Sequence, residues 1–254
     1  MWSRIRLGVL LLILLFVALS AWFDRHYATE WNNALRVSIF PIDADGSATT
    51  AQYIRSLRSD EFEDIEAFFG REASHYRLAL DVPIRFTLAP QLSQRPPEIA
   101  ANASGLGVML WSLRTRFWAW HVDGPPGTEV KLFVLYHDPQ RSPRLPHSLG
   151  LQKGLFGIVH VFADRSMDGS NATVIAHELL HTLGATDKYR MDDNLPRYPD
   201  GFAEPDRAPL YPQAFAELMA GRIPLDAHQA RMPTSLEEVV IGTLSAQEIG
   251  WVKP

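Results

Sequence analysis

The segment from Asn171 to Gly184 constrains the fold of this chain more than any other. It reads Asn-Ala-Thr-Val-Ile-Ala-His-Glu-Leu-Leu-His-Thr-Leu-Gly, a pattern that predicts one α-helix. Ser170 or Asn171 can cap its start, and Gly184 stands where a left-handed residue commonly ends a helix. Because residues four apart share a helix face, His177 and His181 are expected to project side by side. The helix therefore brings two imidazoles within reach of one ion.

Any further metal ligand must be His, Asp or Glu, because the sequence contains no cysteine. Asp187 is the predicted third ligand, since Gly184 permits a sharp exit from the helix that turns residues 185–189 back toward the ion. Glu204 and Glu217 are alternative carboxylate ligands. Three protein ligands leave one position open, which distinguishes a catalytic zinc site from a structural one.

Glu178 follows His177 by one position and is therefore rotated by about 100° around the helix. Its carboxylate is expected to flank the ion and not to ligate it. There Glu178 can take a proton from a water that the metal activates, which is the role of a general base. The spacing predicts a metal-dependent hydrolase.

The run from His177 to Tyr189, His-Glu-Leu-Leu-His-Thr-Leu-Gly-Ala-Thr-Asp-Lys-Tyr, resembles the metzincin clan of zinc peptidases. It looks most like the snapalysin-type variant, in which Asp replaces the usual third His. The resemblance implies that His177, His181 and Asp187 bind Zn²⁺ and that Glu178 is the catalytic base. It also implies an α+β fold, a metzincin-like zincin domain in which a mixed β-sheet supports an active-site helix.

A methionine turn beneath the metal is a further feature that the resemblance implies. Met219 is the matching residue, although an ordinary core methionine fits the pattern equally well. The resemblance covers residues 155–221, and the same run is also similar to bacterial membrane-associated proteins of unknown activity. Tyr189 is expected either to hydrogen-bond near the metal or to pack in the interior, and His160 is a candidate for a substrate groove.

The N-terminal segment predicts export. The 17 residues from Leu7 to Phe23 carry no charge and follow Arg4 and Arg6. A bilayer needs about 17 to 25 apolar residues, whereas a signal peptide has about 7 to 15. Residues 1–24 are therefore predicted to be a transmembrane signal anchor, with a cleaved signal peptide as the alternative.

The compartment follows from the basic flank of this segment, because Arg and Lys prefer the cytoplasmic side. Everything after Phe23 is expected to lie across the membrane, in the periplasm or outside the cell. The protein is then a single-pass membrane protein, or a secreted one if the segment is cleaved.

Composition supports one globular domain over residues 35–254, with 46% hydrophobic and 21% charged residues. The net charge of −5 comes without a basic run, which argues against nucleic acid as a partner. The aromatic residues of the predicted helix 104–120 indicate either core packing or a membrane-facing surface. Strands are predicted at 35–42, 82–88, 130–136 and 157–162, and further helices at 59–78, 213–220 and 245–251.

The sequence thus predicts a zinc-dependent metalloendopeptidase that acts on a peptide or protein substrate. Two alternatives remain open at this point. One is a zinc hydrolase of a non-peptide amide, and the other is a non-catalytic zinc-binding scaffold of the cell envelope. The sequence does not indicate an oligomeric state.

Overall fold

The computed structural model describes Gly8 and residues 30–100, 103–152 and 154–253. The protein is an α+β structure with a mixed sheet, as predicted. Five α-helices lie among the described residues. They are α1 (Ala48–Ser56), α2 (Glu63–His75), α3 (Gly105–His121), α4 (Asp168–Leu183) and α5 (Thr243–Glu248).

A five-stranded sheet forms the centre of the fold. Its strands are β1 (Leu35–Asp43), β2 (Ile84–Leu88), β3 (Val130–His137), β4 (Leu149–Leu151) and β5 (Phe156–Phe162), in the spatial order β2-β1-β3-β5-β4. All neighbouring strands from β2 to β5 in this order are parallel. Strand β4 alone runs antiparallel to its neighbour β5. Strand β4 is thus the edge strand on the side of β5.

The sheet separates two hydrophobic clusters, because side chains along a strand alternate between its faces. On β3, Leu132 and Val134 enter the larger cluster, whereas Phe133 and Leu135 enter the smaller one. The larger cluster also holds buried side chains of α1, α2, α4 and α5. Helix α3 contributes Ala119 to the smaller cluster and therefore covers the opposite face.

Short two-stranded sheets follow α4. They are formed by β6 (Ala216–Glu217) with β9 (Val239–Val240), and by β7 (Ile223–Pro224) with β8 (Ala230–Arg231). The predicted helix over 213–220 is wrong, because Ala216 and Glu217 pair as a strand and residues 218–220 form a turn.

The start of the domain is fixed against its end. The buried ring of Trp31 donates a hydrogen bond from Nε1 to the carbonyl of Ile249 at 2.7 Å and packs edge-on against Trp251, with 5.7 Å between ring centroids. Residue 31 and the end of α5 therefore lie side by side.

The predicted signal anchor or signal peptide over residues 1–24 lies outside the described residues, apart from Gly8. In the part of the chain that the structure describes, no helix is long and apolar enough to cross a membrane.

Candidate metal centre

Helix α4 presents two imidazoles on one face. The Nε2 atoms of His177 and His181 lie 3.1 Å apart, and their side chains are only 16% and 18% exposed. The helix begins at Asp168, earlier than predicted, and neither Ser170 nor Asn171 caps it. Asn171 instead lies within α4, where its amide is hydrogen-bonded to the backbone of Phe162.

The chain leaves α4 through a left-handed residue, as predicted. Gly184 has φ of 105°, and its N–H bonds back to the carbonyls of the last turn. This exit returns Asp187 to the histidines. Its Oδ1 lies 3.3 Å from His177 Nε2 and 3.2 Å from His181 Nε2. The structure therefore brings together the three predicted ligands, and they could hold a metal ion.

The hydrogen bonds of the two imidazoles favour a cation between His177, His181 and Asp187. His177 Nδ1 donates to the carbonyl of Leu218 at 2.9 Å, and His181 Nδ1 donates to that of Ala185 at 2.8 Å. In neutral imidazoles, both Nε2 atoms then carry lone pairs. With these tautomers, the buried Oδ1 of Asp187 accepts no hydrogen bond from the described residues. Three lone pairs directed at one another repel unless a positive charge lies between them.

The spacing of the three atoms suits a small ion. Ligands about 2.0 to 2.1 Å from a tetrahedral zinc lie about 3.3 Å from one another. The observed separations are 3.1, 3.2 and 3.3 Å. Two imidazole nitrogens and one carboxylate oxygen form a donor set that suits zinc, whereas calcium and magnesium prefer oxygen alone.

The electrostatics of the cluster favour a positively charged His177 and a negatively charged Asp187. Burial opposes a charged His177, but Asp187 and Glu178 outweigh burial and raise the pKa of this histidine. Burial likewise opposes a charged Asp187, yet the two imidazoles outweigh it and hold the pKa of this carboxyl below its usual value. The cluster therefore attracts a proton or a metal cation.

Glu178 lies beside this cluster in a dry environment. Its side chain is buried, and its Oε2 has no hydrogen-bond partner among the described residues. Burial raises the pKa of Glu178, although the two histidines oppose that shift. A buried carboxylate with a free lone pair and a raised pKa is suited to accept a proton.

Strand β4 passes directly over α4, a contact that the sequence did not reveal. A Cβ on Gly150 would overlap the Cβ of His181 and the carbonyl oxygen of Glu178. Only glycine permits this approach. Because β4 is an edge strand, its side away from β5 pairs with no other strand among the described residues.

Replacing Gly150 with Ala is expected to push β4 away from α4. Overpacking of this kind costs about 1 to 3 kcal/mol, and each kcal/mol lowers the Tm of a domain of this size by about 2 to 4 °C. Thermal unfolding measures the loss. Gly105→Ala is the matched control, since a Cβ there meets nothing within 4 Å. Equal stability of the two variants would contradict the contact.

The turn after β6 is hydrogen-bonded to His177. Its Leu218 carbonyl accepts the imidazole proton, and Met219 is fully buried with its carbonyl bound to the N–H of Lys188 at 2.9 Å. Met219 therefore lies in a turn that contacts both α4 and the segment around Asp187. This position agrees with either prediction for Met219, a methionine turn or a core residue.

The alternative carboxylate ligands are engaged elsewhere. Glu217 is buried and accepts hydrogen bonds from the hydroxyl of Ser245 at 2.7 Å and from the N–H groups of Gly242 and Ala220. Glu204 accepts from Arg207 at 2.8 Å. The carboxylate that joins the two histidines is that of Asp187.

Lys188 is a supporting residue that the sequence did not reveal. Its side chain is 1% exposed, and its ammonium group donates to the carbonyl of Thr186 and to Glu248, each at 2.7 Å. Glu248 in turn accepts from the N–H of Thr186. These bonds fix the residues on both sides of Asp187. Tyr189, two residues beyond Asp187, has its pKa raised by burial and by the charge of that carboxylate.

His160 lies away from the cluster. Its neighbours Phe156 and Ile158 on β5 belong to the smaller hydrophobic cluster, so His160 occupies the face of the sheet opposite α4. Its Nδ1 lies 2.8 Å from His137 Nε2. Burial, with His137 nearby, lowers the pKa of His160 to about 4.

This shift predicts a loss of stability in acid. The unfolded histidine takes up a proton near pH 6.5 and the folded one only near pH 4, so the stabilisation is complete above pH 6.5 and declines below it. Between pH 7 and pH 5 the free energy of unfolding should fall by about 2 kcal/mol more in the wild type than in His160→Gln. Urea unfolding at the two pH values tests this. Identical losses would contradict it.

No protein-family model matches the sequence, and a search of curated proteins finds no similar one.

Proposed function

We propose that this protein is a zinc-dependent endopeptidase of the metzincin type. The observation that carries the proposal is the convergence of two imidazole nitrogens and one buried carboxylate oxygen beside the buried Glu178. His177, His181 and Asp187 would hold the metal. This set leaves a coordination position for a water or a substrate, which is the arrangement of a catalytic zinc site.

Zinc, when bound, would supply Lewis-acid polarisation of the scissile carbonyl. The chain supplies the remaining functions. The carbonyls of Leu218 and Ala185 hold both imidazoles in the tautomer that leaves Nε2 free. Glu178 accepts the proton of the attacking water through its unpartnered Oε2 and can deliver it to the leaving amine.

The edge of β4 provides a natural place for an extended peptide. An added strand bonds through its backbone and therefore accepts many sequences. Such a peptide would pass close to His181 and Glu178, because Gly150 contacts both. This geometry favours cleavage within a polypeptide and is the reason to prefer a peptide over a small amide as substrate.

Cleavage of an unstructured polypeptide by the full-length protein tests the proposal. The protein is stripped with a chelator, and zinc is then restored in stoichiometric amount. Cleavage is expected only after zinc is restored, with fragments from internal sites. Hydrolysis of small amides without cleavage of the polypeptide would instead indicate a non-peptide amidase. Stoichiometric zinc with neither activity would indicate a scaffold.

A further inference from the structure

Helix α3 exposes an apolar stripe that the domain itself does not bury. The stripe consists of Leu106, Leu110, Leu113, Phe117 and Trp120, whose spacing of four, three, four and three residues places them on one helix face. Their exposure ranges from 50% at Leu113 to 73% at Trp120. The prediction that these aromatics pack in the core is thus wrong for Phe117 and Trp120.

The inner face of the same helix is well packed, so α3 is a fixed part of the domain. Thr115 and Ala119 are buried, and the ring of Trp118 lies 4.4 Å from that of Phe133 on β3. Trp111 donates from Nε1 to the carbonyl of Pro97 at 2.8 Å. The stripe therefore faces outward because the other side of α3 is occupied. A contiguous exposed apolar surface usually marks an interaction site.

The charges of α3 indicate the kind of partner. The helix contains Arg114 and Arg116 and no acidic residue. Helices that lie in the interfacial region of a bilayer typically combine Trp, Phe and Leu with flanking arginines. Anionic headgroups would attract the arginines while the stripe enters the acyl boundary.

The position of the chain start supports the same partner. Lys131 on β3 donates to the carbonyls of Ala119 and Val122 at 3.0 and 2.6 Å, which places the end of α3 at the start of β3. The start of β1 lies there too, since Val37 pairs with Val130. Both the start of β1 and Trp120 are therefore at the amino end of the parallel strands.

The distances allow the helix to reach a membrane. Seven residues, 24–30, separate the uncharged run 7–23 from the fixed Trp31. Seven extended residues span at most about 25 Å, which is also about the length of the 17-residue α3. If the uncharged run lies in a bilayer, the domain cannot move more than one helix length from its surface.

We propose that α3 docks on an anionic lipid bilayer, with the stripe entering the headgroup and acyl boundary. Docking would hold the domain in one orientation and not merely near the membrane. This inference does not depend on peptidase activity, so the two proposals can fail separately.

Spin labelling of the full-length protein in mixed phosphatidylcholine and phosphatidylglycerol vesicles tests the docking. The chain has no cysteine, so Leu113→Cys or Phe117→Cys introduces a single label site. Gln52→Cys is the control, because it is exposed on α1 on the other side of the sheet. Accessibility to oxygen, which enters bilayers, is compared with accessibility to a polar nickel chelate.

Labels at 113 and 117 are expected to show a several-fold higher ratio of oxygen to nickel accessibility than the label at 52. Labels at 113 and 117 that are as open to nickel as the control would overturn the proposal. Low accessibility to both reagents would also overturn it, since this result means that protein covers the stripe. Spin–spin broadening would then identify a second copy, and its absence the N-terminal segment of the same chain.

Discussion

Replacing Glu178 with Gln is expected to lower the rate of peptide cleavage by about 10²- to 10⁴-fold, the usual contribution of a general base. The change removes proton affinity but keeps the size of the side chain. The carboxylate Oε2 has no hydrogen-bond partner among the described residues, so its replacement should leave folding and the three predicted ligands intact. Initial cleavage rates and zinc content, measured on the same preparation, are the two readouts.

The matched control is Glu204→Gln, a surface carboxylate that accepts from Arg207 and the N–H of Ala214. Its activity should remain close to that of the wild type. If Glu178→Gln keeps full activity with zinc bound, Glu178 is not the base and the proposed mechanism is wrong. If it loses its zinc, the variant must be judged as a metal-site variant instead.

Zinc is expected to stabilise the fold strongly. A ligand that binds only the folded state, at a thousand times its Kd, contributes about 4 kcal/mol. For a domain of this size that gain raises the Tm by about 8 to 16 °C. The physical reason is local: zinc removes the repulsion among the lone pairs of His177, His181 and Asp187. Calorimetry of the chelator-treated protein, before and after zinc is added, measures the shift.

Asp187→Asn separates this effect from zinc binding at other sites. The amide removes the negative charge of the third predicted ligand but keeps its shape, so the zinc-induced rise in Tm should shrink by more than half. Asp193→Asn is a control on a nearby surface carboxylate, which pairs with Arg190. An undiminished shift in Asp187→Asn would show that Asp187 does not hold the metal.

Local patterns were sufficient to predict most elements. The strands β1, β2, β3 and β5 and the helices α2, α3 and α4 lie close to their predicted positions, because each contains enough apolar residues of its own to be recognised locally. Helix α1 was missed even though Ser47 caps it, and β4 was missed within a Pro- and Gly-rich stretch. A three-residue strand carries too little local signal, since its conformation depends on pairing with β5.

The candidate site likewise contains residues that the local sequence predicts and residues whose roles depend on distant contacts. His177, Glu178 and His181 follow from helix geometry, and the position of Asp187 follows from the turn at Gly184. Gly150 was not predictable, because its contact joins residues about 30 positions apart. Lys188 was not predictable either, because a lysine is usually exposed and its burial depends on Glu248, which follows 60 positions later in the chain.

The placement of α3 and α4 on opposite faces of one sheet has a consequence for combined variants. Free-energy changes add when two sites share no partner, and they couple when the sites are in contact. Helix α3, which carries the stripe, packs on the smaller hydrophobic cluster, whereas α4, which carries Glu178, packs on the larger one. Their effects on unfolding should therefore sum. The stability cost of changing the proposed docking surface is then separate from the stability cost of changing the proposed catalytic site.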